Sequence, residues 1–178
     1  MANKKSRTKK KQQKKHTKWT ELEQALKKEP SLNSSRITAS RLKQLYEDGM
    51  AAAAFDAGGS IIAFAVLWDT TIQWIRELGT IWVKKEYRSK LYCGKRLSQA
   101  ILDRCFEILR KNSLNGVMLT QHKGLYEYAI ANEWKSYGYN KHPLLRSILN
   151  SPSSKPVVIT DVCHYKECWV LAVTHYHK

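Results

Sequence analysis

The chain has 178 residues, is 43% hydrophobic, and carries a formal net charge of +16 from 31 Lys and Arg against 15 Asp and Glu. That length suits one ordinary domain with a core of its own, so neither disulfides nor a metal are needed for folding. The longest apolar stretch, Ser60 to Trp68, is strand-sized and well short of the ~18 residues of a membrane helix. No membrane span is expected, and no secretory signal, because no apolar segment follows the basic N-terminus.

The charge is concentrated at the start. Residues 1–18 hold Lys4, Lys5, Arg7, Lys9, Lys10, Lys11, Lys14, Lys15 and Lys18 and no acid. These are nine of the sixteen excess charges, and the other 160 residues keep 22 basic against 15 acidic. Self-repulsion and the lack of apolar periodicity predict a disordered tail over 1–18, followed by one domain over 19–178. Such a tail suits nucleic acid or another polyanion, because each Lys or Arg that neutralises a phosphate releases counterions. A solubilising tail without a specific partner and a nuclear-import signal are the alternatives. Four scattered cysteines, Cys93, Cys105, Cys163 and Cys168, suit reduced thiols and a cytoplasmic protein.

Trp19 to Glu29 reads as a short helix, with Thr20 and Glu23 at capping-box spacing and Pro30 ending it. After a polar connector, Thr38 or Ser40 caps a second helix through Tyr46, with Gly49 as its stop. Met50–Asp56 and Ile61–Trp68 read as a hairpin around Ala57–Ser60, and Thr71–Val83 as a third strand. From Lys95 to Lys111 the period becomes helical, with Leu97, Ile101, Cys105 and Ile108 on one face; Asn115-Gly116 breaks it. Val117–Thr120 reads as a strand, Leu125–Ser136 as a helix, 141–156 as a loop, and Val157–Cys163 with Trp169–Thr174 as a closing antiparallel pair. The fold class is therefore α/β: a mixed, mostly antiparallel central sheet flanked by helices.

Two stretches carry a family resemblance. Glu77–Val83 followed by Lys84-Lys-Glu-Tyr-Arg-Ser-Lys-Leu-Tyr-Cys-Gly-Lys-Arg-Leu97, and then Trp134-Lys-Ser-Tyr-Gly-Tyr139, resemble in order and separation the GNAT N-acetyltransferase superfamily. The resemblance covers about residues 36–142 and implies an acyl-CoA N-acyltransferase fold. It also implies acetyl-CoA as co-substrate, with its pyrophosphate at the start of the long helix. Unpaired N–H groups and the positive dipole end favour an anion there. The family's loop pattern, a Gln or Arg followed by two glycine positions, is degenerate. Counted from Arg88, Leu91 and Cys93 fill the glycine positions and Gly94 comes one residue late. Counted from Ser89, Gly94 is in register and Tyr92 replaces the first glycine. Arg88, Lys90, Lys95 and Arg96 would supply charge, and backbone groups around Trp82 and Val83 would pair with the pantetheine amides. The alternative is that Gly94 is only the turn before a helix whose first face is solvated.

The implied reaction is direct attack of an amine on the thioester carbonyl, which needs a base for the ammonium and an acid for the leaving thiolate. Glu77 is the candidate base; its other role is an ion pair with Arg76, a Lys or a helix end at the sheet rim. The family often has a tyrosine four residues before the glycine of the second motif; that position is Trp134, which cannot protonate a thiolate. Of the tyrosines nearby, Tyr126, Tyr128, Tyr137 and Tyr139, proximity selects Tyr137, with aromatic packing as its alternative. No metal is expected, because Cys163, His164 and Cys168 match no common zinc spacing. The acceptor is an amine on a small molecule or a protein, and the oligomeric state is a monomer or a homodimer. The competing function is a non-catalytic module of the same fold that holds nucleic acid or ribosomes through residues 1–18.

Overall fold

The computed structural model describes residues 17–30, 32, 36–70, 72–137 and 169–173. Helix α1, Lys18–Lys27, begins one turn earlier than the capping-box spacing predicts, because Thr17 accepts the Thr20 N–H at 3.3 Å. Glu23 serves elsewhere, pairing with Lys27 and accepting the Ala39 N–H at 2.8 Å at the start of the next helix. Lys18, counted by its charge with the tail, is the first helical residue, its Nζ 4.5 Å from the centre of the Phe55 ring. The rest of the basic tail lies outside the described residues. Helix α2, Ala39–Glu47, is capped by Thr38 as expected, and Gly49 follows it at φ +72°, the left-handed stop that glycine tolerates best.

The strands are β1 (Ala51–Phe55), β2 (Ile61–Asp69), β3 (Ile75–Val83), β6 (Asn115–Thr120), β7 (Lys135–Tyr137) and β8 (Trp169–Val173). They form one sheet in the order β1-β2-β3-β6-β8-β7, in which only β3 and β6 run parallel. Helix α3, Leu97–Lys111, makes the crossover between the parallel strands, and helix α4, Lys123–Ala131, follows β6. A two-stranded hairpin, β4 (Leu91–Tyr92) with β5 (Lys95–Arg96), stands just before α3.

Strand β2 is buried from Ile61 to Trp68 because both its faces are covered. Phe64, Val66 and Trp68, with Trp82 of β3, pack against Trp19, Leu22 and Leu26 of α1 and Leu42 and Leu45 of α2. Ala63, Ala65 and Leu67, with Leu78 and Val83, pack against Ile101, Leu102, Cys105 and Leu109 of α3. Burial pushes the Cys105 thiol up to about 12, so it behaves as an apolar core group.

Several expected boundaries move, each for a local reason. The third strand starts at Ile75, because Thr70 Oγ1 accepts the Ile72 N–H at 3.1 Å and holds a turn there. The long helix starts at Leu97, since Lys95 and Arg96 are spent in the hairpin. It breaks at Ser113, φ +52°, while Asn115 and Gly116 already belong to β6. The fourth helix ends at Ala131, because Glu133 turns the chain at φ +68° and residues 135–137 join the sheet. Strand β8 pairs with β6 on one side and β7 on the other, whereas its expected partner, 157–163, lies outside the described residues.

Candidate active site

The parallel pair at the sheet centre is short. β3 and β6 are in register from Ile75 opposite Asn115 to Leu78 opposite Met118, and the pairing stops there. Val66 faces Gly79 and Phe64 faces Trp82, so β3 carries one residue more than β2 over this stretch. The bulge places Thr80 at φ +52°, and Trp68 Nε1 donates to its hydroxyl at 3.1 Å. A bulge adds twist, and β3 leaves β6. From Gly79 onward the β6-facing edge of β3 has no strand partner among the described residues. This open edge presents backbone N–H and C=O groups to an extended, amide-bearing chain. The Trp82 and Val83 side chains are committed to the two cores, so only their backbone faces the fork.

A 3-10 turn, Lys85–Tyr87, and the β4–β5 hairpin follow β3. Cys93 at φ +49° and Gly94 at φ +77° form the two-residue hairpin turn. Gly94 therefore turns a hairpin and does not open the helix. The helix opens after Arg96, which stands at the N-cap and accepts nothing from the first turn, since a guanidinium has no acceptor. Gln99 Oε1 accepts the Arg96 N–H at 3.0 Å. The first-turn N–H groups of Leu97, Ser98 and Gln99 have no side-chain cap, which leaves them for an anion.

The basic residues of this loop differ in what they hold. Arg88 Nε donates to the Val83 carbonyl at 2.8 Å and its Nη2 pairs with Glu29, so it ties the end of β3 to the end of α1. Lys90 Nζ lies 4.8 Å from the centre of the Tyr87 ring, and Tyr87 stacks on Tyr92. Ser89, Leu91 and Arg96 are exposed. Lys95 Nζ lies 2.8 Å from Asp103 Oδ2, and the other oxygen of that carboxylate accepts the Tyr128 hydroxyl. Burial first, and then the bond and charge of Asp103, push the Tyr128 phenol up to about 12.

Glu77 is buried on the sheet face that α1 and α2 cover, at 7% exposure. Its Oε2 accepts from Arg36 Nη2 at 2.8 Å, and the Arg36 guanidinium stands 4.9 Å from the centre of the Trp68 ring. Arg76, the sequence neighbour, turns instead to Asp69 and to the Gln73 and Ile75 carbonyls. Gly79 keeps the space beside this group open, since a Cβ there would lie 3.3 Å from Trp68 Cδ1 and 3.6 Å from Glu77 Oε1. Tyr137 is on β7, opposite Val170, which in turn faces Leu119, so its backbone stands level with the first residues past the last β3–β6 rung. The turn that ends α4 is Glu133, followed by buried Trp134; four residues before Glu133 is Ala129, fully buried. Gly138 and Tyr139 lie outside the described residues. Sequence reasoning missed Arg36, Asp103 and the Asp103–Tyr128 bond, for which no local pattern exists.

No family model matches this sequence, and no curated protein does either. Solved structures do match. An acetyltransferase of the GNAT family from Staphylococcus aureus Mu50 aligns at 11% identity and TM-score 0.55 over 89% of this chain and 92% of that one. A Mycobacterium tuberculosis protein solved in complex with CoA aligns at 14% identity and TM-score 0.53, covering 77% and 81%. A GNAT superfamily phosphinothricin acetyltransferase from Sinorhizobium meliloti, in complex with AcCoA, aligns at 12% and TM-score 0.53, covering 87% and 80%. At these identities the likeness is one of architecture: the chain has the GNAT acyl-CoA N-acyltransferase fold.

Proposed function

Starting from that fold, we propose that this chain is an N-acetyltransferase that moves an acetyl group from acetyl-CoA to a primary amine. The observation that carries the proposal is the fork between β3 and β6, with a β3 edge unpaired among the described residues and the basic hairpin leading to an uncapped helix start. The pantetheine amides pair along Gly79–Trp82, since the Val83 carbonyl is already held by Arg88. The pyrophosphate meets the Leu97–Gln99 N–H groups, with Lys90, Lys95 and Arg96 supplying charge. The two neighbours solved with CoA and AcCoA support this use of the fold.

In the reaction the acceptor ammonium gives one proton to Glu77, and the freed nitrogen bonds to the thioester carbonyl carbon. The C–S bond then breaks: the acid gives its proton to the departing sulfur and takes the second nitrogen proton in return, leaving an amide and the coenzyme A thiol. Tyr137 is the acid in this scheme, its backbone level with the end of the β3–β6 pairing and two strands from β6; Tyr128 is bound to Asp103. A second function has a specific basis. Leu91 and Cys93 fill the glycine positions and Arg88 is spent on Glu29, features that suit a non-catalytic module holding nucleic acid or ribosomes through a basic tail ahead of Thr17.

Thermal melting with acetyl-CoA separates the two. A ligand at one hundred times its dissociation constant stabilises by about 2.7 kcal/mol, and thiol release with an amine then demonstrates transfer. No shift at millimolar acetyl-CoA refutes the enzyme. Steeply salt-dependent RNA or DNA binding that disappears on removing residues 1–16 supports the module.

A further inference from the structure

Arg36, Trp68 and Glu77 form a unit whose chemistry acetyl transfer alone does not require. Arg36 stands in the connector just ahead of Thr38, the cap of α2. Its side chain keeps 29% exposure and that of Glu77 keeps 9%, so the pair is reached from solvent on the arginine side. An amine that approaches Glu77 is a cation, and it meets a carboxylate that already holds one. A simple amine that displaced Arg36 would leave a part-buried guanidinium without an anion, and splitting such pairs is strongly unfavourable.

An acceptor with a carboxylate of its own avoids that cost. Its ammonium takes Glu77 and its carboxylate takes Arg36, so one internal ion pair becomes two intermolecular pairs with no charge left over. The indole face of Trp68, 4.9 Å from the guanidinium, keeps Arg36 in place while its partner changes. The planar fork of arginine matches a carboxylate in two-point fashion. Trp68 is itself fixed, through its bond to Thr80 in the bulge. Gly79 puts no side chain of its own against Trp68 and Glu77, where a Cβ would stand 3.3 Å from Trp68 Cδ1 and 3.6 Å from Glu77 Oε1. We infer that the acceptor is a zwitterionic amine, an α-amino acid or close analogue, read by Glu77 through its ammonium and by Arg36 through its carboxylate. The inference rests on the transfer proposed above; in it Arg36 is a specificity residue and moves no proton.

The test follows coenzyme A thiol release by the full chain with saturating acetyl-CoA. The proteinogenic L-amino acids are compared, each beside the amine that loss of its carboxyl group would leave. The best amino acid is expected to exceed its matched amine at least ten-fold in kcat/KM. Arg36→Gln should remove most of that ratio, and Arg36→Lys should keep part of it. Because Arg36→Gln strips Glu77 of its cation, melting confirms that each variant is folded, and the wild-type panel decides by itself if one is not. Carboxylate-free amines used as well as or better than amino acids overturn the inference, as does a ratio that survives Arg36→Gln. Acetyl-CoA that stabilises the chain without thiol release from any amine brings down the transfer proposal itself. Absence of any stabilisation by acetyl-CoA does the same, so the failures of the two proposals are told apart.

Discussion

Gly116→Ala tests the packing that sets the fork. Gly116 lies in β6 opposite Arg76 of β3, inside the short parallel pairing. A Cβ there would lie 2.7 Å from Trp134 Cη2, 2.8 Å from Leu109 Cδ1 and 3.1 Å from Val173 Cγ1. The two closest contacts are about 0.7–1.3 Å short of ordinary carbon contact. Trp134 has little room to retreat, because its ring packs 5.2 Å from that of Phe106. Overpacking of this kind costs about 1–3 kcal/mol. The stiffer unfolded chain returns about 0.4–1 kcal/mol, so the net loss is about 1–2 kcal/mol. For a domain of this size that lowers Tm by about 2–8 °C. Calorimetric or fluorescence melting of the purified variant reads it directly. An unchanged or raised Tm would refute the packing argument.

Three further outcomes follow from single residues. Cys93→Asn should raise Tm by about 1–4 °C, since it replaces a strained left-handed cysteine with the residue favoured before Gly94 in such turns, a gain of about 0.5–1 kcal/mol; a lower Tm contradicts the turn assignment. With its phenol raised from 10.0 to about 12, Tyr128 contributes stability that is complete below pH 10 and fades as pH rises through 12. Tyr128→Phe should therefore flatten the fall of Tm across that window, and parallel curves for the two proteins would exclude the effect. Arg88→Gln loses its bonds to Glu29 and Val83 and should destabilise the fold by about 1 kcal/mol, the arginine being half exposed. It should change acetyl-CoA affinity by less than about three-fold, as 1.4 kcal/mol would be ten-fold; a folded variant that no longer binds acetyl-CoA would restore Arg88 to the phosphate.

The first two helices, the first three strands and the long helix were legible because they rest on local patterns. The apolar run of β2 marks it as a strand, and the helical period of α3 places Ile101, Cys105 and Ile108 on its core side. Thr38 and Gly49 mark α2 by chemistry that needs no tertiary partner. What the sequence hid depends on contacts far apart in the chain. The Cys-Gly turn looks like a helix entry until Leu91 and Tyr92 are seen paired with Lys95 and Arg96. Glu133 turns the chain without a glycine, so the end of α4 carries no local signal. Arg36 is a lone arginine in a polar connector, and only folding brings it to Glu77, 41 residues on.

Hydrogen exchange of the full chain with and without saturating acetyl-CoA tests the central claim most directly. The β3 edge, unpaired among the described residues, and the uncapped helix start predict new protection at the amides of Gly79–Trp82 and Leu97–Gln99. Saturable binding that leaves both segments unprotected, or no binding at all, would contradict the fork as the coenzyme A site.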